Sequence, residues 1–177
     1  MRYLECPLED KEGWARVFEL YPACTPVLGT IGAGLSAENP IPVLSMGYPV
    51  LAAYPFSDED RAYFMAKAIH EVYDIMAPKH ESLKAYWTME DNFEMWENTT
   101  KAPMHAGAVR YYKEIGEWTA EREAMNQERL KHDVELKALW DAAVVEASEQ
   151  GIKSTDFPTF WLEKRAAAGF YELWILP

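Results

Sequence analysis

A short polar turn in the first quarter of the chain carries the residues best suited to holding a small molecule. Every second residue of this turn is a hydroxyl-bearing residue or a glycine, and the turn directly follows an apolar run. These residues are Thr30, Gly32, Gly34 and Ser36. Glycines allow a carboxylate to approach main-chain N–H donors, and hydroxyl groups add adjustable hydrogen bonds. We therefore predict a ligand-binding turn, and the alternative is an ordinary tight turn between two strands.

Two further side chains have the chemistry to contribute to such a site. Tyr48, next to Pro49, can line a cleft with its ring, although packing of a bent strand explains it equally well. Arg110 can pair with a carboxylate in bidentate fashion, but Glu114 lies one helical turn away and favours a surface ion pair. We include Tyr48 among the predicted ligand-binding residues and leave Arg110 out.

The sequence lacks the spacings typical of catalytic and metal sites. Its four histidines are scattered, and neither a serine-hydrolase turn nor a phosphate loop is present. Glu90, Glu94 and Glu97 share a helical face, but without a histidine or a matching partner helix a solvated face is favoured. We predict a binding protein rather than an enzyme, with no catalytic residue, no metal and no cofactor.

The net charge and the cysteines exclude further partners and sites. The formal net charge of −12, from 29 acidic and 17 basic residues, repels nucleic-acid phosphates, so we expect no nucleic-acid partner. Cys6 and Cys24 have no metal-ligand spacing, and two buried free thiols are favoured over a disulfide. The first twenty residues contain no apolar core of a signal peptide, so this sequence predicts a soluble chain without an export signal.

The elements that position the polar turn are predicted to be strands and one helix. Residues Arg2–Cys6 predict a short strand, and an apolar stripe from Trp14 predicts a helix that ends at Pro22. Short apolar runs separated by Gly and Pro then predict two or three strands. These runs cover residues 26–31, 43–46 and 50–54.

The remainder of the chain is predicted to be helical. Capping residues and apolar stripes place the helices at residues 57–76, 90–97, 105–115, 119–150 and from Ser154 to about Gly169. The composition becomes charged and helical near residue 117. We therefore divide the chain into an α/β portion, residues 1–117, and a helical C-terminal extension, residues 118–177, that packs on it.

Three stretches resemble one family of transport proteins. They are Gly29–Gly34, Ile41–Val50 and His105–Gly116, the last being HAGAVRYYKEIG and the most specific. Together they resemble the C-terminal half of TAXI-family solute-binding proteins, which serve TRAP transporters. Two departures from the family pattern are Leu35, beside Ser36, where a tyrosine often stands, and Ala106 in place of a proline.

The resemblance implies a fold and a role. It implies the C-terminal lobe portion of a periplasmic-binding-protein-like type II fold that closes on a small organic anion or amino-acid-like solute. It also implies a periplasmic location and delivery of the solute to TRAP membrane permease subunits. Thr30, Gly32, Gly34, Ser36 and Tyr48 would then line the binding cleft. Because the family's export signal and much of both lobes have no counterpart here, we also predict a homodimer through an incomplete sheet edge.

Two other function classes stay open at this point. The segment from 117 to 177 could form a helical oligomerisation or protein-interaction module, which would dimerise and show no affinity for small acids. A small enzyme would require the fold to bring His105 or the Glu90 helix beside the glycine turn. Both alternatives depend on the arrangement of elements in space.

Overall fold

A computed structural model describes residues 3–21, 24–46, 51–100 and 102–170. The described part of the chain is mixed α/β, mostly helical, with a small two-stranded sheet. The strands are β1 (Cys24–Gly29) and β2 (Ile41–Met46). The helices, in chain order, are α1 (Lys11–Leu20), α2 (Glu59–Glu71), α3 (Tyr73–Met76), α4 (Glu81–Tyr86), α5 (Met89–Met95), α6 (Ala106–Glu114), α7 (Ala120–Glu149) and α8 (Phe157–Ala167).

The chain divides into two compact units, Met1–Thr119 and Ala120–Pro177. The first contains the sheet and α1 to α6, and the second contains α7 and α8. A 3₁₀ turn (Ala77–Lys79) follows α3, and a π-helical turn (Trp96–Thr100) follows α5.

Helix α1 confirms the predicted amphipathic stripe. The Asp10 side chain caps its start by accepting a hydrogen bond from the Gly13 amide at 2.9 Å. Trp14 is buried, stacks with Phe18 at 5.9 Å between ring centroids, and donates its indole N–H to the Pro7 carbonyl at 2.9 Å. The apolar face of α1 is therefore anchored through one tryptophan.

The sheet is an antiparallel hairpin, which confirms two of the predicted strands. Thr25 lies opposite Ser45 and Gly29 lies opposite Ile41. Cys24, at the start of β1, is buried and donates its thiol to the Tyr21 carbonyl at 3.0 Å. Burial raises the pKa of this thiol, and Cys24 and Cys6 are both free cysteines.

Both outer edges of the hairpin carry a proline. The Cys6 amide donates to the Pro42 carbonyl at 3.0 Å from outside the sheet, so Pro42 faces the outer edge of β2. Backbone groups alternate in direction along an antiparallel strand, so the backbone N–H and C=O of Leu44 also point to the outer edge of β2. Pro26 is paired with Leu44, and its backbone groups therefore point to the outer edge of β1. Each edge therefore lacks an N–H donor at one position.

The strand predicted over residues 2–6 is wrong within the described residues, and of the two or three strands predicted after α1 the structure contains two. Residues 3–6 form no strand, because Pro42 offers the approaching chain a carbonyl but no N–H, and one hydrogen bond does not make a ladder. Residues 51–54 are also irregular, since Tyr54 stacks on Phe56 at 5.1 Å and its carbonyl accepts the Ser57 amide at 2.9 Å in a turn. Arg2 and Val50 lie outside the described residues.

The helix predicted over residues 57–76 is present as α2 and α3. Its N-cap is Asp58, whose side chain accepts from the Arg61 amide at 2.9 Å, rather than Ser57. Val72 interrupts the helix between α2 and α3, and the segment ends in the 3₁₀ turn that contains Pro78. The acidic helix predicted over residues 90–97 is present as α5 with the π-helical turn after it.

The second unit contains a helical hairpin. Helix α7 ends at Glu149, and Gly151, two residues further on, has a φ of 66° in the left-handed region that favours glycine. The Trp140 ring packs edge-on against Phe157 at 5.3 Å and Trp161 at 4.9 Å. Phe157 and Trp161 therefore pack on Trp140 within the second unit. The prediction that these rings, with Trp174, pack the C-terminal extension on the α/β portion stays a prediction, and Trp174 lies outside the described residues.

Candidate functional site

The predicted ligand-binding residues fall on the connection between β1 and β2. We call residues 30–40 the glycine loop. It contains Thr30, Gly32, Gly34 and Ser36, while Tyr48 lies outside the described residues. The loop is mostly exposed, and Thr30 and Ser36 are half-buried. The hairpin therefore brings four of the five predicted residues together in one connection.

Two glycines give the loop its course. Gly32 has a φ of 155° and Gly34 a φ of 79°, and both angles are ones that L side chains rarely adopt. A Cβ added at Gly32 would also lie 2.7 Å from the Tyr3 hydroxyl, which donates to the Ala33 carbonyl at 3.1 Å. Gly34 has open space around it instead.

The Ser36 hydroxyl serves the loop itself. It accepts hydrogen bonds from the amides of Glu38 and Asn39, each at 3.2 Å, in a local side-chain turn. The Asn39 side chain donates to the Gly34 carbonyl at 2.8 Å. Hydrogen bonding from Ser36, then from its own backbone, lowers the pKa of the exposed Glu38 carboxyl. The second half of the loop is thus closed by its own side chains.

The first half of the loop keeps donors available. Among the described residues, the amides of Gly32, Ala33 and Gly34 donate no hydrogen bond, and all three residues are exposed. Three consecutive solvent-facing amides can receive an anionic group such as a carboxylate. The ionised Glu38 on the same loop would repel a second negative charge and attract a positive one.

The third predicted motif, residues 105–116, forms α6, which packs on α2. His105 is the N-cap of α6, accepting from the Gly107 amide at 3.1 Å through Nδ1, as its position at a helix start predicted. Gly107 is buried because α2 approaches it closely. A Cβ there would clash with the Glu59 carbonyl and lie 2.8 Å from the Tyr63 amide nitrogen. The glycine of the motif is therefore required by helix packing.

The polar residues of α6 also point to α2. Arg110 pairs with Asp60 at 2.6 Å and lies over the Tyr63 ring at 4.5 Å, so the predicted pairing with Glu114 is wrong. Glu114 instead accepts the Tyr63 hydroxyl at 2.6 Å. Arg110 does form the surface ion pair that was predicted, but with a residue of α2 instead of one on its own helix. The hydrogen bond that Arg110 donates to Asp60 raises the pKa of Arg110.

Buried aromatic rings fill the other side of α6. Phe93 of α5 lies 4.9 Å from Tyr112 between ring centroids, and Trp96 lies 5.5 Å from Trp118. The Trp96 indole donates to the Ala102 carbonyl at 2.7 Å. Sequence analysis did not identify this cluster, although Phe93 and Trp96 stand three residues apart, which is the spacing of one helical face.

The other three histidines make structural contacts. The His70 ring shares a hydrogen bond of 2.7 Å with the Tyr111 hydroxyl, and His80 caps α4 by accepting from the Ser82 amide. His132, in the second unit, packs edge-on against Phe170. No three His, Cys, Asp or Glu side chains within the described residues are grouped to hold a metal ion.

Two surface depressions are lined by residues outside the glycine loop. One of about 420 Å³ surrounds residues 77–81 and Lys84 in the first unit, and one of about 550 Å³ follows the α7–α8 turn in the second. Neither is lined by a predicted ligand-binding residue. None of the helices in the described ranges has the length and apolar character needed to cross a bilayer.

Comparison with known proteins gives one match. The search found no similar curated protein and no similar solved structure. The profile of the NMT1-like family, however, matches residues 9–116, from α1 through the end of the α6 motif. Because this match covers more than half of the sequence, the chain belongs to the NMT1-like family of extracytoplasmic binding proteins.

Proposed function

We propose that the protein is the solute-binding subunit of a TRAP-type transporter, of the TAXI type, and that it delivers a small solute to the membrane permease. The observation that supports the proposal is that the family profile and the TAXI-like stretch cover the same residues of α6. The family profile ends at residue 116, and the stretch most similar to TAXI proteins, His105–Gly116, ends at the same residue. Both matches also include the glycine loop.

The glycine loop is the proposed ligand-binding segment. Its exposed amides at Gly32, Ala33 and Gly34 suit a carboxylate, and the ionised Glu38 suits a cationic group. One carboxylate together with one ammonium is the charge pattern of an amino acid. Of the two solute classes implied by the resemblance, an amino-acid-like solute therefore fits this loop better than a dicarboxylate.

Binding, rather than catalysis, is the proposed chemistry. The glycine loop holds hydroxyls, amides and one carboxylate, but it contains no histidine or cysteine to act as a base or nucleophile. The enzymatic alternative depended on His105 or the Glu90 helix, and His105 uses its Nδ1 as the N-cap of α6. The loop's groups suffice to orient a solute by hydrogen bonds and charge.

Calorimetric titration tests the ligand class with a matched pair of probes. Glutamate and glutarate differ by the ammonium group, so we expect heat of binding from glutamate and little from glutarate. 2-Oxoglutarate extends the comparison to keto acids. Binding of glutarate in preference to glutamate would overturn the amino-acid assignment, and the absence of binding by any probe would count against the loop as a site.

Two glycines provide a control for the position of the site. Gly34 and Gly116 share a φ of 79°, and neither has an atom within 4 Å of an added Cβ. Gly34→Ala and Gly116→Ala should therefore cost similar stability through backbone strain. Only Gly34→Ala should also weaken binding of the probe, and equal loss of binding in both variants would contradict the placement.

The transporter assignment needs a separate measurement. We expect the protein to co-purify with TRAP permease subunits from its own organism and to support uptake by vesicles that contain them. Uptake that proceeds equally without the protein would overturn the assignment. A homodimer through the sheet edge stays a prediction, and Pro26 and Pro42 reduce the donors that such an edge could offer.

A further inference from the structure

Helix α7 carries a regular stripe that the receptor function does not use. Along it, residues recur at alternating spacings of three and four, the heptad spacing of helices that pair with another helix. We call these positions the α7 stripe. They are Gln127, Leu130, Val134, Lys137, Asp141, Val144 and Ser148.

The α7 stripe is exposed. Val134 is 70% exposed and Val144 is 43% exposed, and Val145 beside them is 58% exposed. Contacts with α8 come from other positions of α7, namely Trp140, which packs on Phe157 and Trp161, and Glu146, which pairs with Lys164 at 2.6 Å. The apolar residues of the stripe, Leu130, Val134 and Val144, are therefore between 38% and 70% exposed.

The centre of the stripe is ionic. Lys137 and Asp141 lie one turn apart and form an ion pair at 2.6 Å, with both side chains more than half exposed. Three of the seven stripe residues are apolar, and a charged pair between them weakens simple hydrophobic pairing but specifies alignment. The order of charges along the helix then decides which alignment is favourable.

The stripe is complementary to itself when reversed. If a second α7 runs antiparallel, centred midway between Lys137 and Asp141, Lys137 of each copy faces Asp141 of the other. In the same register Val134 faces Val144, and Leu130 faces Ser148. Each stripe position between 130 and 148 therefore meets a stripe position of the other copy. This stretch is about 27 Å long at 1.5 Å per residue.

Parallel pairing is disfavoured by the same residues. In a parallel pair with matched register, Lys137 would face Lys137 and Asp141 would face Asp141, and like charges in contact repel. The antiparallel arrangement replaces both repulsions with attractions. Because it is related by a two-fold axis, it also gives a closed dimer that cannot grow into a filament.

We propose that the protein forms a homodimer in which the α7 stripes of two copies pair antiparallel. The occupant of the exposed stripe is thus a second copy of the chain. The dimer is independent of the solute assigned to the glycine loop. It uses other residues and a different unit, so either proposal can fail alone.

Sedimentation equilibrium tests the dimer through charge reversal. The wild-type chain should approach twice its mass of 20.3 kDa as concentration rises. Lys137→Asp alone and Asp141→Lys alone each place like charges opposite one another, so each should raise the dissociation constant by more than about a hundredfold. An equimolar mixture of the two variants restores both attractions and should recover the dimer as a heterodimer.

The control is Lys67→Asp, which makes the same charge change in another i,i+4 ion pair, Lys67–Glu71 of α2. It should leave dimerisation unchanged. A monomeric wild-type chain, a dimer that survives Lys137→Asp, or a mixture that stays monomeric would each overturn the proposal. Circular dichroism establishes that each variant keeps its helix content.

Cross-linking provides a test that leaves the charged pair intact. Ala138 lies on the flank of the stripe near its centre, so Ala138→Cys places two thiols close to the two-fold axis of the dimer. A short bis-maleimide should link these thiols, whereas Ala142→Cys, further around α7, should link poorly. Equal cross-linking of the two variants, after subtraction of the wild-type background from Cys6 and Cys24, would contradict the alignment.

Discussion

Two regions of the first unit carry two of the three stretches that resemble TAXI proteins, and they differ in how their residues are used. In the α2–α6 pair, nearly every distinctive residue is committed to packing: Gly107 to close approach, Arg110 to Asp60, and Tyr111 to His70. In the glycine loop the backbone is shaped by two glycines, but its amides face solvent. The more specific motif is therefore structural, and the less specific one keeps the groups available for binding.

Removing the aromatic core beside α6 should have the largest effect on stability. Phe93 is 3% exposed and contacts the rings of Trp96, Tyr112 and Trp118. Phe93→Ala should lower the free energy of unfolding by about 3–5 kcal/mol in urea titrations. Phe56→Ala, at an 84% exposed phenylalanine, is the matched control and should change it by less than about 0.5 kcal/mol.

Closing the gap between α2 and α6 should have the next largest effect. Gly107→Ala adds a methyl group that meets the backbone of α2, which cannot rotate away as a side chain can. We expect a loss of about 2–3 kcal/mol of unfolding free energy from the forced separation of the helices. Gly34→Ala, where space is open but φ is strained, should cost about 1 kcal/mol. A larger loss of unfolding free energy from Gly34→Ala than from Gly107→Ala would mean that the loop, and not the α2–α6 contact, is the more tightly packed region.

The Tyr111–His70 hydrogen bond should make a smaller, pH-dependent contribution. Tyr111→Phe removes the bond and should cost about 1 kcal/mol near neutral pH. Burial, then the charges of Glu71 and Glu114, raises the pKa of Tyr111, so the fold favours the protonated phenol. The stability that the protonated Tyr111 phenol contributes is fully present below the unfolded-state pKa of about 10. It declines as pH rises through the folded-state pKa.

Alkaline urea titrations provide the corresponding measurement. The difference in stability between wild type and Tyr111→Phe should shrink above pH 10, because the variant has no phenol to ionise at this position. The exposed Tyr54 serves as the comparison, and Tyr54→Phe should follow the wild-type pH profile. A wild-type advantage that grows with pH would mean that the phenolate is favoured by the fold.

The smallest effect on stability should come from the glycine loop. Ser36→Ala removes a hydroxyl that accepts two amides of its own connection, and an exposed local turn of this kind contributes about 0.5 kcal/mol. Hydrogen exchange at Glu38 and Asn39 should accelerate while the α2–α6 pair is unaffected. Loss of protection in α6 would link the two regions energetically.

Sequence reasoning succeeded where local rules decide the structure. Helix α6 was predicted from a periodic stripe, with His105 at its start and Gly116 after its end, and the structure has His105 as N-cap and Gly116 at a φ of 79°. The side-chain turn at Ser36 was also accessible, because a serine followed three residues later by an asparagine in a loop is a local pattern. Such features depend on neighbours in sequence.

Sequence reasoning failed where a distant partner decides. Arg110 was assigned to Glu114 on its own helix, but Asp60, fifty residues away, takes the ion pair. The apolar run at 50–54 resembled a strand, yet within 51–54 no strand forms, since strand propensity cannot supply a partner. The ligand-binding role of Thr30 and its neighbours stays a prediction, because a loop's course does not identify what it holds.

The outward-facing prolines of the hairpin have a consequence for the behaviour of the chain in concentrated solution. A two-stranded sheet with free edges is a template on which further strands of other molecules can stack into cross-β fibrils. Pro26 and Pro42 interrupt the donor pattern on each edge, one apiece. We therefore expect the edges of this sheet, the one sheet in the described part of the chain, to be poor templates for fibril growth.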